Sequence, residues 1–290
     1  MSDDIRRSAI ALYDRFTHDG MERRAFMAAM VKLAGSAAAA EVLISGIAAS
    51  PAAATIVPVD DKRLTTRTQT LAGGYKAYVA EPRSRSLKAT VLVIHENRGL
   101  NDHIRDVARR LAIAGYRAVA PDLLSPVGGT PANEDVARAA IGKLDLDAVV
   151  AAGVAMLADL AKSSRGGKVG AVGFCWGGAY VNRLAVAAGD RLDAAVVYYG
   201  PAPDSSEAPK VAAPLMIHLG GLDTRVARTA WPWITALRAA GKRVTYFNYE
   251  GVDHAFNNDT SAERYNQPAA ALAWQRTLRF FKRQLGGFAD

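Results

Sequence analysis

A chain of 290 residues with 50% hydrophobic and 22% charged residues can bury one large α/β core and still carry an extension, which excludes a disordered or fibrous class. The net charge of +8 is spread over scattered Lys and Arg, with no basic run interleaved with aromatics. That excludes a nucleic-acid face and reads as a solvated surface with some preference for anionic ligands. The single cysteine, Cys175, excludes an internal disulfide and leaves a thiol for chemistry.

Residues 1–54 differ in composition from the rest. Ser8 to Phe16 is a short amphipathic helical pattern, followed by Arg23-Arg24, an alanine-rich apolar stretch and a small-residue ending at 50–54. This order is similar to a twin-arginine export signal, which favours a periplasmic location. Lys32 and Glu41 interrupt the apolar run, so the other reading is a cytoplasmic protein whose helical extension is never removed. A membrane anchor is disfavoured because the alanine content leaves this stretch only weakly apolar.

Residues 55–290 read as one domain. Two alternating runs, 67–71 and 75–79, flank Ala72-Gly73-Gly74 and predict an antiparallel hairpin. The continuous β-branched run 89–95 predicts a strand buried on both faces and ends at Glu96-Asn97-Arg98-Gly99. Next come a helix over 101–115, a strand over 117–121, and one or two helices over 135–162. Strands over 169–174, 194–199, 215–219 and 243–249 then alternate with helices behind Cys175, over 225–240 and over 268–285. This alternation predicts a doubly wound, mostly parallel sheet with helices on both faces and its site at the strand C-termini.

Gly173, Cys175 and Gly177 form G-x-C-x-G, the thiol version of a nucleophile elbow. The turn that lifts a nucleophile above a sheet crowds the positions two before and two after it, so those positions must lack a Cβ. The helix that follows points its free N–H groups at the sulfur and favours the thiolate. Asp223 follows the strand over 215–219, and His254 follows the strand over 243–249. Nucleophile, acid and histidine in this order, each after its own strand, match an α/β-hydrolase triad. The backbone N–H groups of Trp176 and Asn97 are the expected oxyanion donors. Tyr198, Tyr199, Trp176 and Trp231 are candidates to line the pocket. No metal site is expected, since His95, His103, His218 and His254 fall in different elements. His103 is expected to cap or face solvent, and His218 to be a core histidine. No cofactor is expected.

The segments HENRGL, AGYRAVAPDL, KVGAVGFCWGG, AVVYYG, GGLDTRV and GVDHAF resemble the dienelactone hydrolase (carboxymethylenebutenolidase) family over about residues 64–288. The resemblance implies an α/β-hydrolase fold and hydrolysis of small esters or lactones through Cys175, Asp223 and His254. It also implies that Glu96 pairs with the resting cysteine and moves away when substrate binds. Read from the residues alone, Glu96 is a loop carboxylate paired with Arg98. The family's carboxylate-binding arginine is missing after His254, where Ala255-Phe256-Asn257-Asn258 stands instead. Arg98, Arg138 and Arg264 are candidate replacements, and Tyr199 a candidate substrate contact. The competing readings are a non-catalytic binding protein on this fold and a thiol acyl transferase. A monomer or dimer acting on a small molecule is expected.

Overall fold

Local capping decides where the N-terminal apolar segment breaks. The computed structural model describes residues 3–48, 56–83, 89–164 and 167–286. Helices α1 (Asp3–His18), α2 (Arg23–Ala34) and α3 (Ala37–Ile47) account for the first stretch. Gly35 closes α2 at φ 83°, and the Ser36 side chain accepts from the Ala39 N–H to start α3. A left-handed glycine followed by a serine N-cap is a stop and start signal, so the alanine-rich run becomes two helices. Among the described residues no single helix is long and apolar enough to cross a membrane; α2 and α3 pass only as a pair, bent by 107°. Residues 50–54, the small-residue ending of the export reading, and the boundary at 54/55 lie outside the described residues.

Contacts divide the chain into two units, residues 1–54 with 255–270, and residues 55–254 with 271–290. The first is a helical unit whose core comprises Ile10, Tyr13, Phe16, Phe26, Met30, Leu43 and Ile47. Phe16 and Phe26 stack at 4.3 Å between centroids. The 255–270 segment is tied in by Arg264, whose Nη1 donates to Asp14 Oδ1 at 3.3 Å, and by Ser261 Oγ, which donates to the Ile47 carbonyl at 2.5 Å.

The second unit is built on one eight-stranded sheet in the order β1-β2-β4-β3-β5-β6-β7-β8. The strands are β1 (Leu64–Thr70), β2 (Lys76–Pro82), β3 (Thr90–Ile94), β4 (Arg117–Pro121), β5 (Val169–Phe174), β6 (Ala194–Tyr198), β7 (Leu215–Gly220) and β8 (Val244–Tyr249). The predicted hairpin is β1 with β2, and β2 runs antiparallel to β4. From β4 to β8 every pairing is parallel. Strands β3 to β7 are buried at every position, as their unbroken apolar runs require. Truncating a core residue such as Leu92 to Ala costs about 2–5 kcal/mol.

The crossover helices are α4 (Asp102–Ile113), α5 (Glu134–Ile141), α6 (Leu146–Ser163), α7 (Trp176–Ala187) and α8 (Thr224–Ala239), and α9 (Gln267–Leu285) follows the last strand. The helical stretch after β4 resolves into two helices because Asp145 caps α6 by accepting from the Asp147 and Ala148 N–H groups. His103 differs from expectation. It does not face solvent but is 4% exposed and meets the Phe174 ring edge-on at 6.5 Å, because it lies on the same α4 face as Val107 and Leu111. His218 is a core histidine, as expected.

Candidate active site

Parallel strands deliver their C-terminal ends to one edge of the sheet, and Glu96, Cys175, Asp223 and His254 each follow such an end. Cys175 sits between β5 and α7 with φ 54° and ψ −115°, a conformation rare for a side-chain-bearing residue. Strain of this kind costs on the order of 1–3 kcal/mol and persists only where the surroundings enforce it. The enforcement is visible in the flanking glycines. A Cβ on Gly173 would lie 2.0 Å from the Gly177 carbonyl oxygen, and one on Gly177 would lie 2.4 Å from that of His95. The Cys175 N–H donates to the Tyr198 carbonyl at 3.0 Å, tying the elbow to β6.

Asp223 serves two groups at once. Its Oδ1 accepts from the Val226 N–H at 3.0 Å as the N-cap of α8, and its Oδ2 faces His254 Nδ1 at 2.5 Å. Gly220 and Gly221 before it let the histidine loop pass close over the strand end. A Cβ on Gly220 would meet the Asp253 carbonyl at 2.6 Å, and one on Gly221 that of Tyr249 at 2.7 Å. A ring nitrogen of His254 lies within 4.8 Å of Cys175 Sγ.

The electrostatics follow from burial and charge. Burial alone would push the His254 pKa down, but the charges of Asp223 and Cys175, with hydrogen bonds to both, outweigh it and raise it to about 10. Burial would push the Asp223 carboxyl up; the His254 charge and hydrogen bond, the Val226 N–H and the Arg225 charge hold it below the usual carboxylate range.

Glu96 is 6% exposed, and its Oε1 accepts from the Tyr199 hydroxyl at 3.3 Å. Tyr199 itself has φ 39° just past β6, and its ring meets His254 edge-on at 5.1 Å. Tyr199 thus touches both Glu96 and the imidazole, a linkage that sequence reasoning did not foresee. The only signal for it was the Tyr198-Tyr199 pair at a strand end, of which Tyr198 turns the other way to bond Thr277. Beside them, His95 Nε2 accepts from the Leu123 N–H at 3.2 Å, which places its proton on Nδ1, donating to the Glu96 carbonyl at 2.7 Å. Burial pushes its pKa down, and the neutral ring stacks on Trp176 at 5.7 Å. Asn97 follows Glu96 in the loop after β3 and is partly buried.

The expected arginines fall in different places. Arg98 donates to Glu134 at the start of α5. Arg138 pairs with Asp135 on the same helix at 3.5 Å. Arg264 belongs to the helical unit, where it lies over the Tyr13 ring at 5.3 Å. Trp231 is 39% exposed and packs on Tyr246 away from the strand ends.

An eight-stranded, mostly parallel sheet with an elbow cysteine, an acid and a histidine at its strand ends defines an α/β-hydrolase fold. The model of the dienelactone hydrolase family matches residues 75–285. A curated relative from Escherichia coli O157:H7, named "Putative carboxymethylenebutenolidase", is 35% identical over 260 residues, covering 83% of this chain and 94% of its own. A solved structure titled "Putative Dienelactone Hydrolase", from Klebsiella pneumoniae, has TM-score 0.69 and 28% identity over 76% of this chain and 99% of its own. The dienelactone hydrolase from Anabaena variabilis shares the fold at TM-score 0.60 and 19% identity, over 77% of this chain and 99% of its own. The chain belongs to the dienelactone hydrolase family and is by class a hydrolase of ester or lactone bonds.

Proposed function

We propose that the chain hydrolyses a small carboxylic ester or lactone through a thioester on Cys175. The observation that carries this reading is the line from Asp223 Oδ2 to His254 Nδ1 at 2.5 Å and on to a thiol held within 4.8 Å in a strained elbow. His254 takes the thiol proton, and Asp223 fixes the ring tautomer and stabilises the imidazolium. The thiolate attacks the carbonyl carbon, and the oxyanion that forms needs donors where its charge develops. The Trp176 N–H stands in the first turn of α7, where no intrahelical acceptor exists, and the Asn97 N–H is the second donor proposed. Collapse expels the alkoxide, which takes the proton from His254; in a lactone it stays attached to the acyl group. Water, deprotonated by His254, then cleaves the thioester and releases the acid.

Glu96 is proposed to govern the resting thiol, with Tyr199 holding its carboxylate. A carboxylate beside a thiol disfavours the thiolate by like-charge repulsion, which suppresses stray oxidation and alkylation until substrate arrives. Arg98 and Arg138 remain the proposed anchors for a substrate carboxylate, each already shared with an acid of α5.

The test is hydrolysis of a short-chain nitrophenyl ester by the wild type, by Cys175→Ala and by Glu96→Gln. Turnover should vanish in Cys175→Ala while the circular dichroism spectrum stays unchanged. In Glu96→Gln the pH profile of iodoacetamide alkylation should move; turnover by Cys175→Ala at the wild-type rate would sink the covalent reading.

A further inference from the structure

The far edge of the sheet carries a second feature, remote in sequence from the elbow and unused by the chemistry above. Strand β8 closes the sheet, and between it, β7 and the second half of α9 lies a cavity of about 430 Å³. Its floor is Met216 and Phe247, and its remaining lining is Arg276, Arg279, Lys282 and Arg283. The volume is within the range of small-molecule sites, roughly 300–1,000 Å³. The segments Leu215–Gly220, Val244–Tyr249 and Gln267–Leu285 contain no Asp or Glu, so the elements that build the cavity supply four cations and no carboxylate.

The cations are not equivalent. Arg276 is partly buried and held in place, with its guanidinium 3.9 Å from the Phe247 centroid and 5.5 Å from that of Tyr249, and hydrogen-bonded to the Tyr249 hydroxyl. Arg279, Lys282 and Arg283 are exposed around it. A fixed guanidinium lying on an aromatic face gives a flat, cationic wall against which a planar anionic group can stack and pair. Met216, 2% exposed, lies beneath it and contributes only the edge of its side chain to the lining.

We propose that this cavity binds a small amphiphilic organic anion, with an aromatic or acyl body on Met216 and Phe247 and a carboxylate, phosphate or sulfonate among Arg276, Arg279, Lys282 and Arg283. The site is independent of the thiol chemistry, so a failure of either proposal leaves the other standing.

The experiment uses the full chain and the fluorescent anion 8-anilinonaphthalene-1-sulfonate. Its affinity is measured for the wild type, for the double variant Arg279→Glu/Arg283→Glu, and for a control, Lys162→Glu/Lys210→Glu, with the same change in net charge on remote surface positions. All four positions are exposed, so folding is retained and is checked by circular dichroism. Reversing two exposed charges at the cavity should weaken binding about tenfold, while the control should change it by less than about twofold. Phe247→Ala should weaken it as well, and inorganic phosphate at equal concentration should not compete, because it lacks the apolar body. Bound probe should slow hydrogen exchange in peptides covering β8 and residues 276–283. Equal affinity in the wild type and the cavity variant, equal losses in cavity and control variants, or protection confined to other peptides would overturn the proposal.

Discussion

Replacing Asp223 by Asn tests the electrostatic core of the site with little change of shape. Asn is as good an N-cap as Asp, so Oδ1 can still accept from the Val226 N–H and α8 should keep its start. What is lost is the carboxylate charge on His254 Nδ1. In the wild type the folded His254 pKa of about 10 lies above the unfolded 6.5, so the folded state holds a proton that the unfolded state has released between those values. Stability from this group is therefore complete below pH 6.5 and is lost as pH rises through 10. At about 1.4 kcal/mol per pH unit the ceiling is about 5 kcal/mol, less what is shared within the coupled triad. Without the carboxylate, burial should pull the imidazole back toward or below 6.5, removing the alkaline loss. The assay is Tm from pH 6 to 10.5 beside ester turnover. The wild-type Tm should fall steadily over that range and the variant's should be nearly flat, with turnover down about 10³–10⁴-fold because the tautomer is no longer fixed. Parallel Tm profiles, or turnover within about tenfold of wild type, would refute the reasoning.

Two further outcomes follow from particular atoms. Gly177→Ala places a Cβ 2.4 Å from the His95 carbonyl oxygen, against backbone that cannot yield easily, and should lower stability by about 2–4 kcal/mol in denaturant unfolding. Gly142→Ala, whose Cβ would sit 3.6 Å from the Arg138 carbonyl at φ −63°, should be within about 0.5 kcal/mol of neutral or slightly stabilising by the same method. His218 is buried, and burial with the nearby Arg276 charge depresses its pKa to about 3. The unfolded chain therefore binds a proton that the folded chain refuses between about pH 6.5 and 3, and stability should drop by up to about 1.4 kcal/mol per unit of acidification there. His218→Gln retains polar partners for Tyr249 and Thr277 and should shrink that slope, read as urea midpoints at pH 4 and 6.5.

Much of the fold was legible because its signals are local. Runs such as Thr90–Ile94 can only be doubly buried strands, Asn101 marks a helix start, and the G-x-C-x-G spacing reports a turn in which any Cβ collides with backbone. What stayed hidden depends on partners far apart in sequence. Residues 255–270 join the N-terminal helices through Ser261 and Arg264, and nothing in either segment advertises the other. Arg98 reaches Glu134, 36 residues on, and Glu96 takes the hydroxyl of Tyr199, 103 residues on. The left-handed position at Tyr199 is occupied by neither glycine nor asparagine, the residues that would announce it. His103 was readable after all: its spacing to Val107 and Leu111 puts it on the apolar stripe of α4, and its polarity concealed that.

The most direct test of the central claim is the intact mass of the protein quenched with acid seconds after mixing with excess nitrophenyl acetate. A species heavier by one acetyl group is expected, mapped by peptide digestion to Cys175, decaying as substrate is exhausted and missing in Cys175→Ala. Turnover without that species in the wild type, or an acetyl group located on another residue during steady hydrolysis, would contradict covalent catalysis by the elbow thiol.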